Sequence, residues 1–110
     1  MPTENQRTHF RIVYPQQERP TFVSDDGAAP VLDCSEGGMR VEVGPTQRRP
    51  ALRQQVSGRL RLRDGQEVPV QGRVVRVQGR EVCLQLDRPG LPLAIIFSEQ
   101  RFLRTRYAAI

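Results

Sequence analysis

The chain has 110 residues, 37% of them hydrophobic and 26% charged, which suits one modest core and leaves no room for a second domain. Its apolar runs fall well short of the roughly 20 residues that span a bilayer, and the polar stretch after Met1 lacks the features of a secretory signal, so a soluble, cytoplasmic protein is expected. With 17 arginines, no lysine and a net charge of +5, an anionic partner is favoured, but arginine is so common here that only position can single one out.

Residues 1 to 19 are polar, hold Pro15 and carry no sustained apolar period, so they read as a flexible N-terminal arm. Thr21–Ser24 reads as a short strand, closed by a turn over DDGAAP. VLDC and MRVEV are two further strand-like pieces around the SEGG turn, and Met39, Val41 and Val43 alternate with Arg40 and Glu42, the period of a half-buried strand. GPTQRRP then breaks the pattern. A long alternating region follows: VSGRLRLR, a hairpin signal at Asp64-Gly65, EVPVQGRVVRVQ, a turn at Gly79-Arg80, and EVCLQLD with Val82, Leu84 and Leu86 on one face. These make an antiparallel meander. After RPGLP, the positions Leu93, Ile96, Phe97, Phe102, Leu103 and Tyr107 approximate helical spacing, with arginines near the end.

Short antiparallel strands with one terminal helix predict an all-β fold with a C-terminal helix, a small six-stranded antiparallel β-barrel whose open end the helix plugs. The predicted organisation is an arm over residues 1–19 and a barrel with its helix over 20–110. Cys34 and Cys83 lie far apart in strand-like surroundings without paired zinc spacing, which reads as reduced, buried thiols. His9 is the only histidine and cannot assemble a metal site or a nucleophile–base pair unaided. Glu36 has no second carboxylate in a defined relation to it. No catalytic group, metal or cofactor is therefore expected.

Two short stretches carry the functional signal. RTHFR sets Arg7 and Arg11 four apart in the arm. DCSEGG sets Asp33 and Ser35 two apart at the end of a strand, so both leave one face while Cys34 takes the other, and Gly37 and Gly38 permit positive dihedrals or close approach of a ligand. An Asp carboxylate accepts from the N–H groups of a purine edge, and a Ser hydroxyl donates or accepts at a phosphate or base. The same string is also plain turn chemistry, with Asp and Ser bonding their own backbone.

In this order, Arg-x-x-x-Arg in an N-terminal arm followed by Asp-x-Ser-x-x-Gly between early strands, the sequence resembles the PilZ domain family. Arg7 and Arg11 match the first motif; Asp33, Ser35 and Gly38 match the second. QGRVVRV resembles the family's glycine-arginine-valine strand, and FSEQRFLRTRY its closing segment. The resemblance implies a receptor for cyclic di-GMP, a ring of two guanosines joined by two phosphates. It implies that Arg7 and Arg11 clamp this ligand against a surface bearing Asp33, Ser35 and Gly38, with secondary contacts from Gln6, His9 and Gly37. Arginine suits the task because its planar fork pairs with phosphate or with guanine O6 and N7, and its face stacks on a purine. Gln6 stands where the family often carries a further arginine, a position bearing on whether one dinucleotide or a stacked pair is held, and VCLQL lacks the family's late-strand aromatic.

The implied receptor signals to a downstream protein by ordering its arm on the ligand. Two alternatives keep the barrel: a basic surface for single-stranded nucleic acid, disfavoured because Arg-Leu-Arg-Leu alternation also describes the solvated outer face of a sheet, and a protein-interaction module that binds no nucleotide.

Overall fold

A computed structural model describes residues 11–107. The strands are β1 (Ile12–Val13), β2 (Thr21–Ser24), β3 (Gly27–Cys34), β4 (Gly38–Glu42), β5 (Gln55–Arg61), β6 (Glu67–Gln78) and β7 (Glu81–Leu86); a short 3₁₀ turn spans Gln16–Glu18, and one helix, α1, spans Leu93–Arg106. Every pairing is antiparallel, and six strands close a ring in the order β3, β2, β5, β6, β7, β4 and back to β3, while β1 adds to the far end of β3. The expected six-stranded barrel with a C-terminal helix is the architecture found, with one extra strand.

Alternation builds the core. Phe22 on β2, Val31 on β3, Met39 and Val41 on β4, Leu60 on β5, Val68, Val70 and Val74 on β6, and Val82, Leu84 and Leu86 on β7 all turn inward, and Arg40, Arg59, Arg61, Gln71, Arg73 and Gln85 are among the residues on the intervening outer positions. At roughly 25 cal/mol per Å² of apolar surface removed from water, such a stack supplies the dominant favourable term of folding. Gly58 and Gly72 lie where strands come together most closely: a Cβ on Gly58 would press on the Val23 carbonyl and the Phe22 ring, and one on Gly72 on the Gln85 carbonyl. A side chain at either point would pry the ring open.

Three expectations change. The chain joins the barrel at Ile12 rather than at residue 20, because Ile12 and Tyr14 are buried and β1 pairs Ile12 with Cys34 and Val13 with Asp33; two inward residues are too short a run for periodicity to register. The turn after β2 is confined to Asp25 and Asp26, since Gly27 to Pro30 pair with β2. On α1, Ile96 enters the core as read, but Leu93 and Phe97 are 40% and 42% exposed, and Glu99 is buried in their place.

The helix rests on the N-terminal segment rather than simply capping a hole. Glu99 accepts from the Tyr14 hydroxyl at 2.7 Å and from both Nη atoms of Arg63 at 2.8 and 3.0 Å. Arg63 also lies 3.5 Å over the Phe102 ring, a cation–π contact. At the helix end Glu18 accepts from Tyr107 Oη at 2.8 Å and pairs with Arg106 at 2.7 Å, where a cation also suits the helix dipole. Among the described residues no helix is long and apolar enough to cross a membrane.

Candidate functional site

The site is made by an irregularity in β3. Val31 faces Val41 across the β3–β4 ladder, yet Asp33 faces Arg40, so Leu32 is one residue too many on its side. With regular pairing Asp33 would share the inward face of Val31, because side chains alternate with a period of two. The extra residue turns Asp33 outward beside Arg40 and returns Cys34 to the interior opposite Met39. The sequence reading of Asp33 as outward and Cys34 as inward is therefore met, by a bulge rather than by simple alternation. The outward face is not open, however: Asp33 is 4% exposed.

What covers Asp33 is arginine. Arg11, just before β1, donates from Nη1 to Oδ1 at 3.1 Å, and Arg40 donates from Nε at 2.8 Å and pairs through Nη2 at 2.7 Å, both on Oδ2. Pairing β1 with the end of β3 places Arg11 there, since Val13 lies opposite Asp33. An ionised carboxylate withdrawn from water to this extent is tolerable only with such compensation. The far side of Arg40 is held by Glu81, whose Oε1 lies 2.8 Å from Nη1. The hydrogen bond that Arg40 donates to Asp33 is the main influence pushing its guanidinium further up from its already basic range, with Glu81 adding to it.

Beyond Asp33 the chain reverses tightly. The Ser35 N–H donates to the Gly38 carbonyl at 2.8 Å, closing a hairpin over Glu36 and Gly37. The turn is lashed to the end of β7 and the segment after it: the Leu86 N–H donates to the Gly37 carbonyl and the Leu91 N–H to the Glu36 carbonyl, each at 2.9 Å. Gly90 makes the second contact feasible, because it adopts φ +78° and a Cβ there would collide with the Glu36 carbonyl. Gly37 and Gly38 are not among the positive-φ glycines, so their backbones do not require glycine. Among the described residues nothing lies within 4 Å of a Cβ on Gly37, and one on Gly38 would stand at ordinary contact distance, 3.5 Å from the Leu84 carbonyl and 3.6 Å from Ser35 Oγ. Among the described residues, the space over Gly37 is open.

Of the residues singled out by sequence, Arg11, Asp33, Ser35, Gly37 and Gly38 come together at this corner of the barrel. Gln6, Arg7 and His9 lie outside the described residues. Sequence reasoning passed over Arg40 and Glu81. Their signal was present in the pattern, since Arg40 is two residues beyond Gly38 on the outer face of its strand, but only register shows that it meets Asp33. Elsewhere the outer arginines Arg59 and Arg61 are both engaged by Glu67 at 2.9 Å, and hydrogen bonding from Arg61 foremost holds the Glu67 carboxyl below its usual range.

Comparison with known proteins identifies the fold and the family. No curated protein matches the chain. Its fold is similar to that of an uncharacterized Legionella protein, at 14% identity over 87% of this chain and 96% of that one with a TM-score of 0.64. YcgR from Escherichia coli, solved in complex with c-di-GMP, is similar at 16% identity over 90% of this chain and 48% of YcgR with a TM-score of 0.66. The PilZ domain of CeSA from a cellulose-synthesizing bacterium is similar at 23% identity, covering 84% of this chain and 92% of that domain with a TM-score of 0.52. The PilZ domain model matches residues 5–93, a span that takes in the Arg11–Asp33 corner and the whole barrel, and the chain belongs to the PilZ domain family.

Proposed function

We propose that this PilZ domain is a receptor for cyclic di-GMP, and that it passes the signal to a partner protein rather than catalysing a reaction. The observation that carries the reading is the 3.1 Å ion pair between Arg11 and Asp33, 22 residues apart, which joins the arginine motif to the Asp-x-Ser-x-x-Gly motif at one point on the barrel. Asp33 supplies acceptors for the N–H groups of a guanine edge, Arg11 and Arg7 supply forks for phosphate or for guanine O6 and N7, and Ser35 adds a hydroxyl. Gly37 and Gly38 leave room for the ligand to lie against the turn, whose backbone is already fixed. The ligand bound by YcgR is consistent with this assignment. Nucleic-acid binding by the outer strands is less well supported, because Arg59 and Arg61 both already pair with Glu67, which offsets one of their two charges.

Stacking contributes on the order of 1–3 kcal/mol per base, and ordering an arm costs several kcal/mol, so a dissociation constant of about micromolar order is expected. Isothermal titration with cyclic di-GMP, with GTP as the comparison ligand, tests the reading. Saturable heat with the cyclic dinucleotide alone supports it, and the stoichiometry reports what Gln6 permits. Absence of heat with a folded protein would move the search to a protein partner.

A further inference from the structure

We infer that Arg40 is a built-in competitor of the ligand for Asp33, and that Glu81 is the group that receives it when the ligand arrives. The inference rests on the cyclic di-GMP reading above and adds to it a residue outside the two motifs. Arg40 directs two nitrogens, Nε at 2.8 Å and Nη2 at 2.7 Å, to the same Asp33 oxygen, Oδ2. Guanine presents N1–H and N2–H from one N–C–N frame, the same arrangement that a guanidinium presents to a carboxylate. The two donor edges therefore address the same acceptors. With Oδ1 held by Arg11 and Oδ2 held twice by Arg40, a guanine edge cannot span the Asp33 carboxylate unless Arg40 lets go.

The structure provides for that release. Arg40 already bonds Glu81 through Nη1 at 2.8 Å, and the Glu81 side chain is 41% exposed and free to follow it. Arg40 can therefore turn from Asp33 to Glu81 without passing through an unpaired state, which is the expensive condition for a charge beside a buried site. Its own side chain, 37% exposed, has solvent to move into. Ligand binding is then an exchange: the guanine edge replaces the Arg40 fork on Asp33, and the preference of Arg40 between its two carboxylates sets the apparent affinity, much as a partly populated competent state taxes any ligand.

The test uses the full chain and titration with cyclic di-GMP at constant salt. Arg40→Met keeps the apolar stem and removes the donors; it should bind about tenfold more tightly than the unmodified chain, the order expected from removing one charge-assisted competitor. Glu81→Gln weakens the receiving group and should bind about threefold to tenfold more weakly, on the same reasoning. Opposite signs in the two variants support the exchange. Weaker or unchanged binding by Arg40→Met, with thermal unfolding showing it folded, overturns the inference, since Arg40 would then be a ligand contact or a bystander. Should Arg40→Met not fold, the exposed Glu81 position carries the test, and unchanged or tighter binding by Glu81→Gln overturns the inference by itself. If the unmodified chain and both variants are folded and none binds, the cyclic di-GMP reading itself has failed and the exchange falls with it; binding by the unmodified chain with no change in either variant sinks the exchange alone.

Discussion

Asp33 and Glu99 are withdrawn from water to the same degree, each 4% exposed, and among the described residues they are the two charged groups in an otherwise apolar buried set. Each is met by arginine, and each links elements far apart in sequence: Asp33 joins the start of β1 to β3 and β4, and Glu99 joins α1 to Tyr14 and Arg63. Burial and pairing alone do not separate a site from a strut. The difference lies in the partners. Around Asp33 the arginine side chains are 54% and 37% exposed and a second acid waits beside one of them, so the arrangement can rearrange. Around Glu99 both carboxylate oxygens are bonded, Tyr14 is buried and Arg63 is pinned against Phe102, so it cannot. A carboxylate that is to meet a ligand needs partners that can leave.

The contrast is most severely tested at the strut. Glu99→Ala should lower stability by about 3 kcal/mol, the lower end of the cost of breaking a buried pair, because Arg63 keeps 32% of its side chain in water. Urea denaturation measures it, and the folded fraction should still bind cyclic di-GMP with unchanged affinity. A stability loss no larger than that of a surface substitution would erase the distinction between the two acids. At the site the pattern should invert: Asp33→Ala should weaken cyclic di-GMP binding about ten- to a hundredfold, the equivalent of one charged hydrogen-bonding group, while costing less stability than Glu99→Ala since Arg11 and Arg40 swing into water. Calorimetric titration beside thermal unfolding reads both quantities.

A smaller effect is expected at Tyr14, whose hydroxyl is one of the donors to Glu99. Tyr14→Phe should cost about 1 kcal/mol, seen as a lower urea midpoint, with binding preserved despite the proximity of Arg11 in sequence. The smallest effect concerns alkaline pH. Burial pushes the Cys34 thiol from 9.0 up to about 12, and burial likewise drives the Tyr14 phenol upward. Groups whose folded pKa is raised contribute stability that is fully present below their unfolded pKa and lost as pH rises toward the folded one. Stability should therefore decline from about pH 9 upward, and Cys34→Val should flatten part of that decline. A pH-independent urea midpoint in this window would show that the interior around β1 is open to water.

Much of this molecule was readable from residue order. The alternation in VSGRLRLR and EVCLQLD, the Asp64-Gly65 and Gly79-Arg80 turns, and the helical spacing after Pro92 are local patterns, and local patterns are set by backbone geometry and by the choice between core and water. The order of the two motifs was equally legible, because each is a short string. Glu99 left a trace as well, a charge in step with Ile96 and Leu103 on α1, though nothing local said whether it faced a partner or solvent.

The tertiary structure decided everything that depends on register and on closure. One extra residue at Leu32 determines which face Asp33 takes, and no count along β3 alone can locate it, because a bulge exists only relative to the partner strand. Arg40 meets Asp33 for that reason, and Glu81 reaches Arg40 because β7 lies beside β4. Glu99 and Tyr14 are 85 residues apart and meet because the closed ring brings α1 down on β1. Sequence determined the strands, the turns and the two motifs; pairing between distant strands determined which charges compensate one another.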